Sequence, residues 1–305
     1  MTGRIETDAS QLRTARYWSI AGSGSVRCEL CPHRCYIAAN DAGICGWRVN
    51  RDGELVASGY GRVSSTALDP IEKKPLYMFH PGKYILSIGG YGCNLRCGFC
   101  QNYNISTVDS IAFSEMTRDR VEAGCAASPD DVARLAAGTI PKGNIGVAYT
   151  YNEPLINYEF LSDCAQLVRS AGLYNVVVTN GYINMEPLLE LLPLIDAMNI
   201  DLKGFSEAFY KKNGGTLEAV KDTIAAAYGR CHIEVTTIVI PGENEDDISA
   251  LSKWLSSVGA DIPLHLTRFF PRYLYNDRPP TSREAVYRLS RIAKKYLNHV
   301  FTGNM

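Results

Sequence analysis

No stretch of this 305-residue chain approaches the ~18 consecutive apolar residues of a bilayer-spanning helix. Net charge is scarce as well: 31 Lys and Arg against 32 Asp and Glu leave −1. That balance gives no bulk electrostatic footprint for nucleic acid or an anionic membrane. The N-terminal "MTGRIETDASQLRTARYW" lacks the apolar core of a secretory signal. Internal repeats and low-complexity tracts are missing too. These absences read as a soluble, cytoplasmic protein with no nucleic-acid and no membrane partner. What remains is globular: 46% hydrophobic and 21% charged, enough for one large α/β domain or two medium ones.

Cysteine is the residue in excess. There are ten, and seven of them cluster. Without a secretion signal, clustered cysteines point to metal ligation rather than disulfides. Cys93, Cys97 and Cys100 stand in "GGYGCNLRCGFCQN" with C-x3-C-x2-C spacing. A tetrahedral zinc wants four ligands and a disulfide two, so three thiols in a Gly-rich loop suit neither. An iron–sulfur cubane held by three thiolates keeps one iron open; zinc with a distant fourth ligand is the alternative. Upstream, "CELCPHRCYIAANDAGICGW" supplies Cys28, Cys31, Cys35 and Cys45. Four thiolates complete either a structural zinc or a closed iron–sulfur cluster. His33 is adjacent but is expected to point elsewhere. Cys125, Cys164 and Cys231 stand alone and read as small core residues.

From residue 81 onward the pattern alternates between apolar runs and amphipathic segments. "KYILSIGGYG", "NIGVAYTY", "YNVVVTNGY", "IDAMNIDLKG", "CHIEVTTIVIPG" and "IPLHLTRFFP" read as buried strands, each followed by a helical segment. Ser128 and Pro129 mark one helix start, and Gly172 closes another. Six strand–helix units predict a parallel sheet covered by helices: an α/β, partial (β/α)6 TIM-like barrel over residues 81–305. Residues 1–80 read as a small N-terminal cysteine-rich, metal-binding module with short strands, and "AGSGS" (21–25) as a flexible connector. In such barrels functional residues lie at the C-terminal strand ends. Those ends here read "GYGCNLRC", "YTYNEP", "VTNGY", "DLKG", "TIVIPG" and "TRFFP".

C-x3-C-x2-C after the first barrel strand resembles the signature of the radical S-adenosylmethionine (SAM) superfamily. The resemblance implies a [4Fe–4S] cluster on Cys93, Cys97 and Cys100, with SAM chelating the open iron. Reductive cleavage of SAM to methionine and a 5′-deoxyadenosyl radical would then abstract hydrogen from a substrate. A one-electron reductant such as flavodoxin or ferredoxin is implied. Phe99 matches the aromatic position beside the adenine. Glu153 matches the carboxylate of the family's "GGEP" motif, with Tyr151 and Asn152 replacing its glycines. "VTNGY" and "DLKG" resemble segments of glycyl-radical-enzyme activases, which carries SAM-contacting roles to Thr179, Asn180, Asp201 and Lys203; "TIVIPG" suggests Thr236. Val178 stands where the activases carry a further Asp. His265 and Arg268 are candidates to face the same site. "CELCPHRCYI", "GICGWRVN", "DPIEKKPLYMFHPG", "GCNLRCGFCQN", "TYNEP" and "RFFPRYLYNDRPPT" together resemble the radical SAM member of the AmmeMemoRadiSam system. The expected activity is that of a radical SAM enzyme acting on a protein or peptide, like an activase or maturase; a small-molecule substrate, or a non-catalytic metal-binding scaffold, is the alternative.

Overall fold

The computed structural model describes residues 13–107 and 125–305. Its centre is an eight-stranded sheet: β1 (Ser65–Pro70), β2 (Tyr84–Gly89), β3 (Asn144–Thr150), β4 (Tyr174–Thr179), β5 (Ala197–Asp201), β6 (His232–Val239), β7 (Leu264–Arg268) and β8 (Val300–Gly303). The strands lie in sequence order across the sheet, β8 to β1. β2 to β8 run parallel, and β1 pairs antiparallel with β2. Six helices follow the six expected strands: α1 (Pro129–Gly138), α2 (Tyr158–Ser170), α3 (Met185–Leu191), α4 (Leu217–Ala227), α5 (Ile248–Val258) and α6 (Arg283–Ala293). This is the expected α/β fold, enlarged by an edge strand at each side.

Local chemistry explains the boundaries. Ser128 Oγ accepts from Asp131 N–H while Asp131 returns the bond to Ser128 N–H, a reciprocal cap that starts α1 with Pro129 in its first turn. Gly172, at φ +72°, ends the turn after α2. Side chains on alternate strand positions divide the core. Leu86, Val147, Val177, Met198, Val235 and Leu264 pack outward into the main core, whereas Ile85, Ala148, Val176 and Ala197 point inward and meet Ile71 and Leu76. Cys164 is fully buried and Cys231 partly so; the side chain of Cys125 lies outside the described residues.

The lumen has a floor made by residues 71–79. Its apolar part is Ile71, Leu76 and Phe79. Its polar latch is Glu234 on β6, which accepts from the backbone N–H groups of Tyr77 and Met78 at 3.0 and 2.8 Å. His265 and His232 meet the same carboxylate at 2.6 and 2.9 Å. Residues 65–79, on the N-terminal side of the expected boundary, thus contribute both β1 and this floor to the barrel.

The remaining N-terminal residues form short antiparallel strands. Trp18–Gly22 pairs with Ser25–Cys28 in a hairpin. "AGSGS" is therefore a tight turn rather than a connector: Gly22, Ser23 and Gly24 all take positive φ, which closes a hairpin whose strands twist right-handed. A buried ion pair fastens this region to α2. Arg48 Nη1 lies 3.1 and 3.2 Å from the Glu159 oxygens, with both side chains 2% exposed.

Candidate functional site

The loop after β2 carries the three spaced cysteines, none of them in a disulfide. Cys93 Sγ accepts from Leu95 N–H at 3.3 Å, and Asn180 Nδ2 approaches it at 3.5 Å. Asn180 Nδ2 also donates to Asn94 Oδ1 at 2.9 Å, so the β4 end is bonded to this loop. Phe99 is buried between Phe209 and Tyr275, with ring centroids 6.0 and 5.8 Å away. Burial pushes the Cys97 thiol up to about 12, although the Lys203 ammonium pulls it down. Three such thiols become thiolates only with a cation to bind, which is what iron supplies.

The β3 end holds the carboxylate. Glu153 is 2% exposed and accepts from Leu155 N–H at 3.0 Å, Thr179 Oγ1 at 2.7 Å and Asn180 N–H at 2.7 Å. A carboxylate offers about four lone-pair directions, so one is still free for a further donor. Burial raises its pKa to about 7, against the hydrogen bonds and the distant Lys203 charge. The neighbouring Asn152 ties the cysteine loop down: it accepts from Gly90 N–H at 2.9 Å and donates to Gly92 O at 3.1 Å. Tyr151 takes φ +71°. A tyrosine standing where the family's motif has glycine thus takes left-handed backbone.

Asp201 and Lys203, at the β5 end, form an ion pair at 2.8 Å. The Lys203 charge also lies within electrostatic reach of Cys93 and Cys97, and despite burial its pKa is raised by Asp201 and Cys97. Thr236 is paired in register with Asp201 and donates to Asn199 Oδ1 at 3.0 Å inside the lumen. The two further candidates lie elsewhere. His265 is drawn down to Glu234 at the floor, because a buried carboxylate needs donors. Arg268 donates to Thr281 O at 2.8 Å, with its guanidinium 4.8 Å from the centre of the Phe270 ring.

Cys28, Cys31, Cys35 and Cys45 are gathered within electrostatic reach of one another, and burial pushes Cys31 up to about 12. The Arg48 guanidinium lies within electrostatic reach of Cys28 and Cys45 as well as of its Glu159 partner. Its buried Nε has no hydrogen-bond partner. His33, between Cys31 and Cys35, turns away to Asn94 O at 2.7 Å. Arg96 bonds the Ile44 carbonyl on one side and Cys93 O, at 2.9 Å, on the other. A Cβ on Gly92 would come 2.2 Å from Trp47 and 2.6 Å from Cys45 O. The N-terminal cysteine segment therefore packs against the loop that carries the other three cysteines, which spacing in sequence did not reveal. Among the described residues, no three His, Cys, Asp or Glu side chains are gathered as a single metal ion requires; the thiolates of a cubane stand wider apart.

Three thiols, a buried carboxylate and a lysine thus stand at the C-terminal ends of a parallel sheet, the donor set of a metal-cluster site. The Radical SAM superfamily profile matches residues 87–255. An uncharacterized protein of Methanocaldococcus jannaschii, MJ0808, is 38% identical over 302 residues, covering 96% of this chain and 86% of that protein. The chain belongs to the radical SAM superfamily, whose members carry a [4Fe–4S] cluster and SAM. A putative glycyl-radical enzyme activating enzyme of the same organism, MJ1632, is 26% identical over 69% of this chain and 77% of its own length. Among solved structures, Streptococcus suis SuiB bound to S-adenosylmethionine shares the fold, with TM-score 0.52 and 14% identity over 70% of this chain and 48% of that one. No helix among the described residues is long and apolar enough to cross a membrane.

Proposed function

We propose that this chain is an activase- or maturase-like radical SAM enzyme, of the AmmeMemoRadiSam branch, that abstracts hydrogen from a protein or peptide. The observation that carries the proposal is the convergence of Cys93, Glu153, Asn180 and Lys203 on one strand-end mouth. Cys93, Cys97 and Cys100 would hold the [4Fe–4S] cluster. Once bound, cluster and SAM together would supply a 5′-deoxyadenosyl radical when one electron arrives from a carrier such as flavodoxin or ferredoxin. Glu153 has the free lone pair to receive the SAM ammonium as a charge-assisted hydrogen bond. Thr179 and the Asn180 amide fix that carboxylate's orientation. Asp201 and Lys203 present a paired donor and acceptor beside the thiols, with Thr236 behind Asp201; Phe99 would stack near the adenine. Phe99, Glu153, Thr179, Asn180 and Thr236 are buried, which would keep water from the reacting atoms, while Asp201 and Lys203 stay partly open.

Cys28, Cys31, Cys35 and Cys45 form a second metal site in this reading, zinc or a closed iron–sulfur cluster, within an N-terminal module that ends before β1, since residues 65–79 belong with the barrel. The four thiols interact electrostatically with one another, and the Arg48 guanidinium, whose buried Nε has no hydrogen-bond partner, acts on Cys28 and Cys45, which supports a group carrying negative charge there. The identity to an activating enzyme of Methanocaldococcus jannaschii supports a polypeptide substrate. The test is deuterium transfer: uniformly deuterated candidate polypeptides should place deuterium in 5′-deoxyadenosine. Deuterium arriving only from small metabolites would overturn the polypeptide assignment.

A further inference from the structure

We propose that Tyr151 is a positioning residue: a tether from the barrel lumen that holds Glu153 in place for the cofactor. The proposal rests on the reading that Glu153 receives the SAM ammonium. Left-handed backbone at a bulky residue is sparsely populated and persists only where the surroundings over-determine it. At Tyr151 they do so at two ends. The carbonyl accepts from Asn102 Nδ2 at 2.6 Å, two residues beyond Cys100, which joins the turn to the cysteine loop. The side chain runs the other way, into the lumen.

The ring passes over Gly89, where an added Cβ would lie 2.8 Å from Tyr151 Cδ2. Its hydroxyl then donates to Asp69 Oδ2 at 2.9 Å. Lys74 Nζ donates to the same oxygen at 2.9 Å and lies 4.6 Å from the ring centroid. Asp69 is paired with Ile85, four residues below Gly89 on β2. The phenol therefore spans from the mouth down the inner wall, and its anchor, Asp69 with Lys74, is buried. Asn152 and Glu153 follow directly on the same turn. Where glycine would reach this backbone by freedom, the tyrosine reaches it by attachment.

The test uses anaerobically reconstituted holoenzyme and measures SAM dissociation constants by equilibrium dialysis, with iron content and melting temperature alongside. Tyr151→Phe should raise the dissociation constant about 5–10-fold, the worth of one net hydrogen bond, at unchanged iron content. Asp69→Leu, which removes the acceptor, should do the same, and the double variant should be no worse than Asp69→Leu alone, since both cut one link. Tyr151→Ala keeps the strained backbone without an anchor and should lose about 30-fold. Tyr151→Gly should recover most of that, because glycine takes this φ freely. A ring that merely filled space would be missed equally in Ala and Gly. Wild-type affinity in Tyr151→Phe and Asp69→Leu, independent losses in the double variant, or Gly no better than Ala would each overturn the tether. Unchanged SAM affinity in Glu153→Gln would overturn the underlying reading, and with it the tether's purpose.

Discussion

Glu153 holds its proton further up the pH scale than an ordinary carboxylate because burial outweighs the three donors around it. Its folded pKa of about 7 lies above the usual 4.5, so the folded state binds more protons between these values. Stability from this group is full below pH 4.5 and is given up as pH rises to about 7, by about 3 kcal/mol at most. A ligand ammonium favours the ionised form, so SAM should bind more tightly as pH rises toward 7. Glu153→Gln should flatten both profiles, measured by denaturant unfolding and by SAM dialysis between pH 5 and 8. A Gln variant with the wild-type slopes would assign them elsewhere. The placement of the thiols, Glu153, Asp201 and Lys203 was legible in sequence because each is carried by a short motif directly after an apolar strand. The Arg48–Glu159 pair, 111 residues apart, was not, since nothing local marks either partner. The Tyr151 conformation lay between these cases: a tyrosine in a glycine position was visible, its anchor on Asp69 was not.

At the scale of elements, the six parallel strands announced themselves as apolar runs ended by Gly, Pro or polar turns. β1 was legible only as a short strand in "RVSSTALD", assigned to the N-terminal module; that it joins the barrel sheet antiparallel, and that Glu234 gathers Tyr77 and Met78 beneath the barrel, was not. Against its burial, the bonds from His232, His265 and the Tyr77 and Met78 amides hold the Glu234 carboxyl down to about 2. That depression stabilises the fold above pH 4.5 and is lost as pH falls toward 2. Glu234→Gln should cost about 3 kcal/mol at pH 7 and almost nothing near pH 2, read from urea unfolding. Equal losses at both pH values would remove the floor latch from the explanation. Gly92 tests a second junction. It sits at φ +84° against Trp47, so Gly92→Ala has no room on the cysteine loop. It should destabilise the protein by several kcal/mol, visible as a lowered melting temperature.

Across the whole molecule, the N-terminal residues are fixed against the loop they precede in sequence, through His33 to Asn94 and Arg96 to Ile44. Composition could not show that adjacency. It follows that removing one cysteine set should leave the other loadable. A variant with Cys93, Cys97 and Cys100 all replaced by Ala should retain metal, either one zinc or about four irons per chain. Retention of neither would contradict a second site. The central claim is that the open cluster position and the rim around it serve SAM. Anaerobic reconstitution to a full cluster, followed by SAM and a strong one-electron reductant, tests it by counting 5′-deoxyadenosine. Wild-type protein should release 5′-deoxyadenosine together with methionine, and the triple cysteine variant neither; a fully loaded wild-type cluster that leaves SAM intact would contradict it.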